Sequence, residues 1–457
     1  MAWTINNGKL YFNSVLYTGN SGTQNITGVG FEPQWVWMKQ RNAANSNVVI
    51  DSVRGVLKRI RTDQTDAEDT LANSLTAFGS DGFTLGSAQE VNDNSDTYVA
   101  WNWLAAGTAP SNTYAVKVVS DSGNKYRFDD FGTSAVTLEI SEGGTFTFDQ
   151  SDSSNNGHPL RFATQADAAN SSQYTTGVTT NGTPGQAGAY TRITVAASAP
   201  TLFYYCTNHS GMGGQANTPT TNSFSNFAGT IQSNISPNTT SGFSIVSYTG
   251  TGVANKTIGH GLGTTPGMII VKNRSITEEW RVWQQKLGGP TYKLALNDAG
   301  AADQGSSVFN GQSATTFTVG TDPSVNGNGN SIIAYCFNDV QGYSKFGSYT
   351  GNGNANGTFV YTGFKPAFIM IKETTNSGNW TLYDNKRAGF NSKSTFLYAN
   401  TNAAEDTSNT IWLDMLSNGF KILESNNLVN RSGGNYIYMT FAENPFTSSA
   451  GTPVTAR

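Results

Sequence analysis

The sequence predicts an all-β protein, with three repeated jelly-roll or β-sandwich domains and a further β-sandwich inserted after the first. Short β-branched and aromatic runs alternate with Gly/Asn/Ser clusters such as "GNGNANG", "NGNGNS" and "NRSGGN", as closely spaced strands and turns require. Helical periodicity is nearly absent, and one set of markers returns three times along the chain. At 457 residues the length suits about three or four domains, each able to carry its own core. The expected boundaries are 1–107 and 220–345 and 346–457 for the repeats, with 108–219 as the insert.

The markers run in a fixed order. "YTG" begins at Tyr17, Tyr248 and Tyr349, and the copy at Tyr361 falls outside the register. A proline follows, then an apolar run closed by a lysine six residues on: "PQWVWMK" from Pro33, "PGMIIVK" from Pro266, "PAFIMIK" from Pro366. These prolines suit strand starts, where a missing amide donor costs little. A phenylalanine then opens a short run ("FTLG" at Phe83, "FTVG" at Phe317, "FKIL" at Phe420) before Val-Asn at Val91, Val325 and Val429. The closing strands are "TYVAWNW", "SIIAYCF" and "NYIYMTF". "DQTDAEDTLANSL" (Asp63–Leu75) is the one stretch that reads as a short helix.

Composition narrows the function classes. Charged residues make up only 13%, and 27 basic residues stand against 31 acidic ones. Apart from "RGVLKRIR" (Arg54–Arg61) there is no basic block, so nucleic acid is not an expected partner. No apolar run approaches the roughly 20 residues of a spanning helix, and "MAWTINNGKL" lacks the pattern of a signal peptide, so neither a membrane nor a cleaved leader is expected. Two cysteines, Cys206 and Cys336, do not make a disulfide framework.

The insert carries alternating strand-like runs and the most chemically specific residues of the chain. "GHPLRF" contains His158, and "FYYCTNHSGMGG" places Cys206, His209 and Met212 in one loop as C-x2-H-x2-M. Two imidazoles, a thiolate and a weak axial thioether are the donors that favour copper. This segment resembles the cupredoxin family, the plastocyanin-like blue-copper proteins. The resemblance implies His158 and His209 as imidazole ligands, Cys206 as thiolate and Met212 as axial ligand, although many such loops place the methionine further on. The other reading leaves copper out and keeps Cys206 and His209 as packed, hydrogen-bonded members of a structural loop.

Elsewhere structural readings prevail. Trp35 and Trp37, like Trp101 and Trp103, share a strand face and could stack on sugar rings. Their counterparts are Met268 and Ile270, Phe368 and Met370, Tyr335 and Phe337, Met439 and Phe441, so apolar character persists while identity changes, as in a core. Lys39, Lys272 and Lys372 read as strand-end charges guarding an edge. The carboxylate pairs Glu278/Glu279 and Asp149/Asp152 do not recur across the repeats, His260 in "GHGLG" reads as a turn residue, and "VNDNSD" lacks EF-hand spacing. No catalytic residue is expected.

"YTGTGVANKTIGHGLGTTPGMIIVKNRS", "KFGSYTGNGNANGTFVYTGFKPAFIMIK" and "SNGFKILESNNLVNRSGGNYIYMTFAENPF" resemble the repeated β-rich domain of tailed-bacteriophage virion proteins, particularly those of marine and cyanobacterial phages. The resemblance implies concanavalin-like jelly rolls on the virion exterior, in a tail fibre or another appendage. Other virion proteins, further copies of the chain and a host-surface glycan are the implied partners. A capsid-decorating protein and a secreted copper protein working in electron transfer are the alternatives. A glycan depolymerase is the weakest reading.

Overall fold

Strand-forming runs and turn clusters alternate through the computed structural model, which describes residue 5 and residues 7–168, 173–387, 394–408 and 413–442. The chain is all-β, and each repeat has the same plan. In the first, a large antiparallel sheet takes Phe12–Thr18, Thr97–Trp103, Trp35–Gln40, Val48–Asp51, Lys58–Arg61 and Asp69–Thr70 in that order. A small sheet of Gln24–Ile26, Gly82–Leu85 and Leu75–Gly79 covers one face. Equivalent sheets are built around Met268–Asn273 and Ser331–Phe337 in the second repeat, and around Pro366–Glu373 and Asn435–Ala442 in the third.

The recurring markers meet in space. Tyr17, Tyr248 and Tyr349 donate their hydroxyls to the carbonyls of Val91, Val325 and Val429 at 2.8, 2.7 and 2.7 Å. Each following asparagine is buried in a one-turn helix (Gln89–Asn92, Pro323–Asn326, Asn427–Asn430), and its side chain binds the loop after "YTG". Asn92 Nδ2, for example, donates to Gly22 O and Gly86 O, both at 2.8 Å, while its Oδ1 accepts from Asn20 N. The conserved spacing is thus a latch that closes each sandwich.

The central strands of the large sheet are buried on both faces. Val36, Met38, Val48, Tyr98 and Ala100 face the small sheet of their own repeat, with Phe83 and Val91. The opposite face, with Trp35, Trp37, Trp101 and Trp103, enters a second core built jointly with Phe243, Tyr335, Phe337, Phe368, Met439 and Phe441. Trp35 lies 4.7 Å from Tyr335, and Trp103 lies 5.7 Å from Phe368, ring centre to ring centre. The tryptophans are core residues, and their core is common to all three repeats. The expectation of a separate core per repeat holds for only one of the two faces, and in the second repeat that face is continuous with the core of the insert.

The repeats interlock in a cycle around this core. Lys39 Nζ of the first donates to Asn402 O of the third at 3.3 Å, Lys372 Nζ of the third to Ala299 O of the second at 3.1 Å, and Lys272 Nζ of the second to Thr65 O of the first at 2.8 Å. The same three carbonyls accept the backbone amides of Asn45, Gly378 and Glu278. Trp280 Nε1 reaches Arg61 O and Trp380 Nε1 reaches Ala295 O, and Asn47 at the equivalent position reaches Tyr398 O. Three successive donor-to-acceptor steps therefore return to the starting repeat, giving a pseudo-threefold ring within one chain.

This geometry corrects two expectations. The lysines do not guard edges: Lys39, Lys272 and Lys372 are buried and bridge repeats. Nor is Asp63–Leu75 helical, since it contains the two-residue strand Asp69–Thr70 and otherwise follows the ring interface. Three of its acidic side chains are drawn to guanidinium groups of other segments, Asp66 to Arg61, Asp69 to Arg59 and Arg61, and Glu68 to Arg54 and Arg274, and Glu68 N is bound to Arg274 O.

Burial brings the three lysine ammoniums from 10.5 down to about 8. Between these values the unfolded chain binds more protons than the folded one, so stability rises with pH through that window. Buried tyrosines such as Tyr17 and Tyr248, whose hydroxyls burial keeps protonated, oppose this only above pH 10. Each lysine is expected to add on the order of 1 kcal/mol between pH 8 and 10. Urea unfolding across that range checks it; an unchanged slope in Lys272→Met would remove Lys272 as the source.

The insert is a sandwich of two five-stranded sheets. Ser111–Ser120 runs parallel to Thr145–Asp149 in one, and Leu138–Glu139 runs parallel to Gly214–Asn217 in the other. The insert is fastened to the second repeat by two extra strands there, Phe224–Asn226 and Ser233–Asn238. Phe224 packs on Phe146 and Phe227 on Tyr114 and Phe128, while Tyr114 donates its hydroxyl to Ser225 O at 2.8 Å.

Candidate metal centre

Two neighbouring strands of the insert bring the sequence-predicted ligands together. Leu160–Ala163 pairs antiparallel with Leu202–Cys206, with Leu160 opposite Cys206. His158 precedes the first strand and His209 follows the second, so both imidazoles emerge at the end of the sheet where Cys206 terminates its strand. The Cys206 Sγ lies 3.8 Å from His158 Nδ1 and 3.7 Å from His209 Nδ1. The three ligand atoms lie within 4.8 Å of one another. Cys206 is buried, His158 half-buried and His209 exposed. Met212 is buried in the same apolar cluster as Cys206.

The loops holding these residues are fixed by neighbours that carry no sequence signature. The His158 carbonyl accepts from Tyr126 Oη and Gln150 Nε2, each at 2.9 Å. Asn208 Nδ2 donates to Gly157 O at 2.9 Å, tying the His209 loop directly to the His158 turn. Between His209 and Met212, Gly211 N donates to Asp167 Oδ2 at 2.8 Å and Gly211 O accepts from Lys125 Nζ. A side chain at Gly213 would place its Cβ 1.7 Å from Tyr204 O, so the strand can return beside Leu202–Cys206 only with glycine there.

The donor set fits a first-row transition metal. Bonds of about 2.0 Å to nitrogen and 2.3 Å to sulfur, at about 110–120°, separate N and S by roughly 3.5–3.7 Å. Both sulfur-to-nitrogen distances fall in or near that range. Burial first, and His209 second, hold His158 below the usual imidazole value, which favours the neutral form that binds metal. Two imidazoles with one thiolate are of the intermediate and soft character that selects copper or zinc over magnesium or calcium.

The remaining candidates have structural partners. His260 is buried, accepts from Leu262 N, and is brought down to about 4 by desolvation, with its Nε2 3.2 Å from Ser313 O. Glu279 pairs with Arg281, Asp149 accepts from Ser151 N, and Asp152 caps Ser154 N. Cys336 lies in the core, where burial pushes its thiol up.

A family model described as "Domain of unknown function (DUF7483)" matches residues 7–129 and 149–445, spanning parts of the insert as well as the three repeats. No curated protein and no solved structure matches the chain.

Proposed function

We propose, for a chain that belongs to the DUF7483 family, that it serves as a non-enzymatic structural protein on the outside of a phage particle, as a tail-fibre or appendage subunit that contacts the host surface. The observation supporting this reading is the closed ring. Three sandwiches share one aromatic core and are joined in one cyclic sense by lysine hydrogen bonds at every interface and by indole hydrogen bonds at two, which suits a load-bearing exterior part. Amide- and hydroxyl-rich loops leave its surface suited to neighbouring virion proteins, further copies of itself or glycans. Immunogold labelling of purified particles tests the assignment, with label expected at the tail. Label spread over the head would replace an appendage by a capsid-decorating protein, and unlabelled particles without the chain by mass spectrometry would end the virion reading.

The convergence of His158, Cys206 and His209 favours a second reading, in which the insert binds copper. His158 and His209 would hold the ion through Nδ1 and Cys206 through its thiolate, with Met212 the remaining candidate. A copper ion bound there supplies a thiolate charge-transfer absorption. Adding Cu(II) to the purified protein is expected to produce an intense visible band that is absent in Cys206→Ala. Failure of the wild type to show one would leave the loop as a structural connection. Electron transfer by a secreted copper protein would additionally require a reversible redox couple.

A further inference from the structure

The three ring interfaces follow one plan, and one of them departs from it at five positions together. Between the first and second repeats, Arg54 pairs with Asp51 and donates to Glu68 at 3.1 Å, Tyr335 Oη donates to Asp51 at 2.7 Å, and Arg274 Nε donates to Glu68 at 2.8 Å. Between the first and third, Arg387 donates to Asp384 at 2.6 Å and to Glu405 at 2.9 Å, Trp101 Nε1 donates to Asp384 at 3.1 Å, and Arg41 Nη2 donates to Glu405 at 2.8 Å. Between the second and third repeats, the same positions hold Leu287, Gln284, Ala302, Met439 and Thr374. The backbone hydrogen bond is retained there, Ala302 N to Thr374 O at 2.9 Å, matching Glu68 N to Arg274 O and Glu405 N to Arg41 O. The long charged side chains of Arg54 and Arg387, Glu68 and Glu405, and Arg274 and Arg41 are therefore replaced by the shorter, neutral Leu287, Ala302 and Thr374, with the backbone hydrogen bond kept.

A cleft of about 680 Å³ lies at that interface, lined by Leu287, Ala302 and Thr374 among others. Its third-repeat wall presents Ser348, Thr350, Thr375 and Asn435, all exposed, and its second-repeat wall presents the half-exposed ring of Tyr292. Lys286 is the single charged residue among those lining it.

We propose that this cleft binds an uncharged oligosaccharide. Its volume lies within the ~300–1,000 Å³ of small-ligand sites. Hydroxyls and a carboxamide can exchange hydrogen bonds with sugar hydroxyls as both donors and acceptors, and a phenol ring offers an apolar face with a polar tip. No carboxylate lines the cleft to attract a cationic ligand, and its one charge, on Lys286, is exposed and stays hydrated beside an uncharged one. The assignment rests on the exterior, host-contacting reading above and gives that contact a location.

The test uses the full chain on an array of neutral and acidic bacterial surface oligosaccharides, beside a double variant, Ala302→Glu with Thr374→Arg, that copies the ion pair of the other interfaces into the cleft. Binding to neutral glycans is expected for the wild type, with at least a tenfold loss in the double variant at an undiminished unfolding midpoint. Tyr292→Ala, which leaves the interface backbone and Gln284 untouched, is expected to weaken the same binding if the double variant misfolds. Neutral-glycan binding retained in these folded variants would overturn the cleft while leaving host contact standing. Binding to no array member, or to acidic ones alone, would overturn the proposal, and the particle labelling above judges the virion reading independently.

Discussion

Replacing Trp35 with alanine is expected to cost about 4 kcal/mol, among the larger effects of a single truncation in a packed core. Trp35 is 1% exposed and meets Trp37 and Trp103 of its own repeat and Phe243, Tyr335 and Phe337 of the second. Its face of the sheet turns away from its own small sheet, so the void would open in the core common to the ring. The whole ring should then lose stability together, as one lowered transition in denaturant followed by both fluorescence and circular dichroism. Leu10→Ala, at a half-exposed position in the same repeat, is expected to change little. A separate early transition confined to the first repeat would show that the sandwiches hold their stability individually, and the shared core would no longer explain the tryptophans.

Particular residues show what the sequence could reveal. The repeat was legible because Pro33, Pro266 and Pro366, with the lysines six places on, keep their spacing while loops vary. The latch was half legible: Tyr and Val-Asn recur, but nothing in their separation states that Tyr17 reaches the carbonyl beside Asn92. Ring closure was hidden because spacing within a repeat does not say which surfaces face one another. A physical clue was present in "WVWM", "MIIV" and "AFIMI", where apolar residues run on without the alternation of a half-exposed sheet. Such runs call for burial on both faces, and Trp35–Gln40, Met268–Asn273 and Pro366–Glu373 are buried at every position. The lysines ending these strands were misread because an ammonium normally marks an exit to water, whereas here paired carbonyls from two segments receive it. At the candidate centre, Cys206, His209 and Met212 are legible from their shared loop after a strand, and His158 from its place after an earlier one. Tyr126, Gln150 and Asn208, which fix that centre's backbone, are ordinary strand and turn residues in sequence.

Gly19→Ala is expected to destabilise by about 3 kcal/mol, far beyond the usual effect of adding one methyl group. A Cβ at Gly19 would lie 2.0 Å from Asp93 O, and at Gly250 and Gly351, the equivalent "YTG" glycines, 2.3 Å from Gly327 O and Arg431 O. In each case the obstacle is the backbone carbonyl just past the buried asparagine, so no side-chain rotation relieves the clash. The loop must lift from the one-turn helix, and the lift strains the bonds from Asn20 N to Asn92 Oδ1 and from Asn92 Nδ2 to Gly22 O. The Asn92 side chain is fully buried, and an unpaired buried amide costs on the order of 1–3 kcal/mol. Gly22→Ala in the same loop is the matched control, because its Cβ would meet nothing closer than 3.6 Å. Both variants lose the same glycine entropy in the unfolded chain, so the difference between their unfolding midpoints isolates the collision. Equal midpoints would mean that the loop yields freely, and the recurrence of glycine after Tyr-Thr would then need a cause other than close approach.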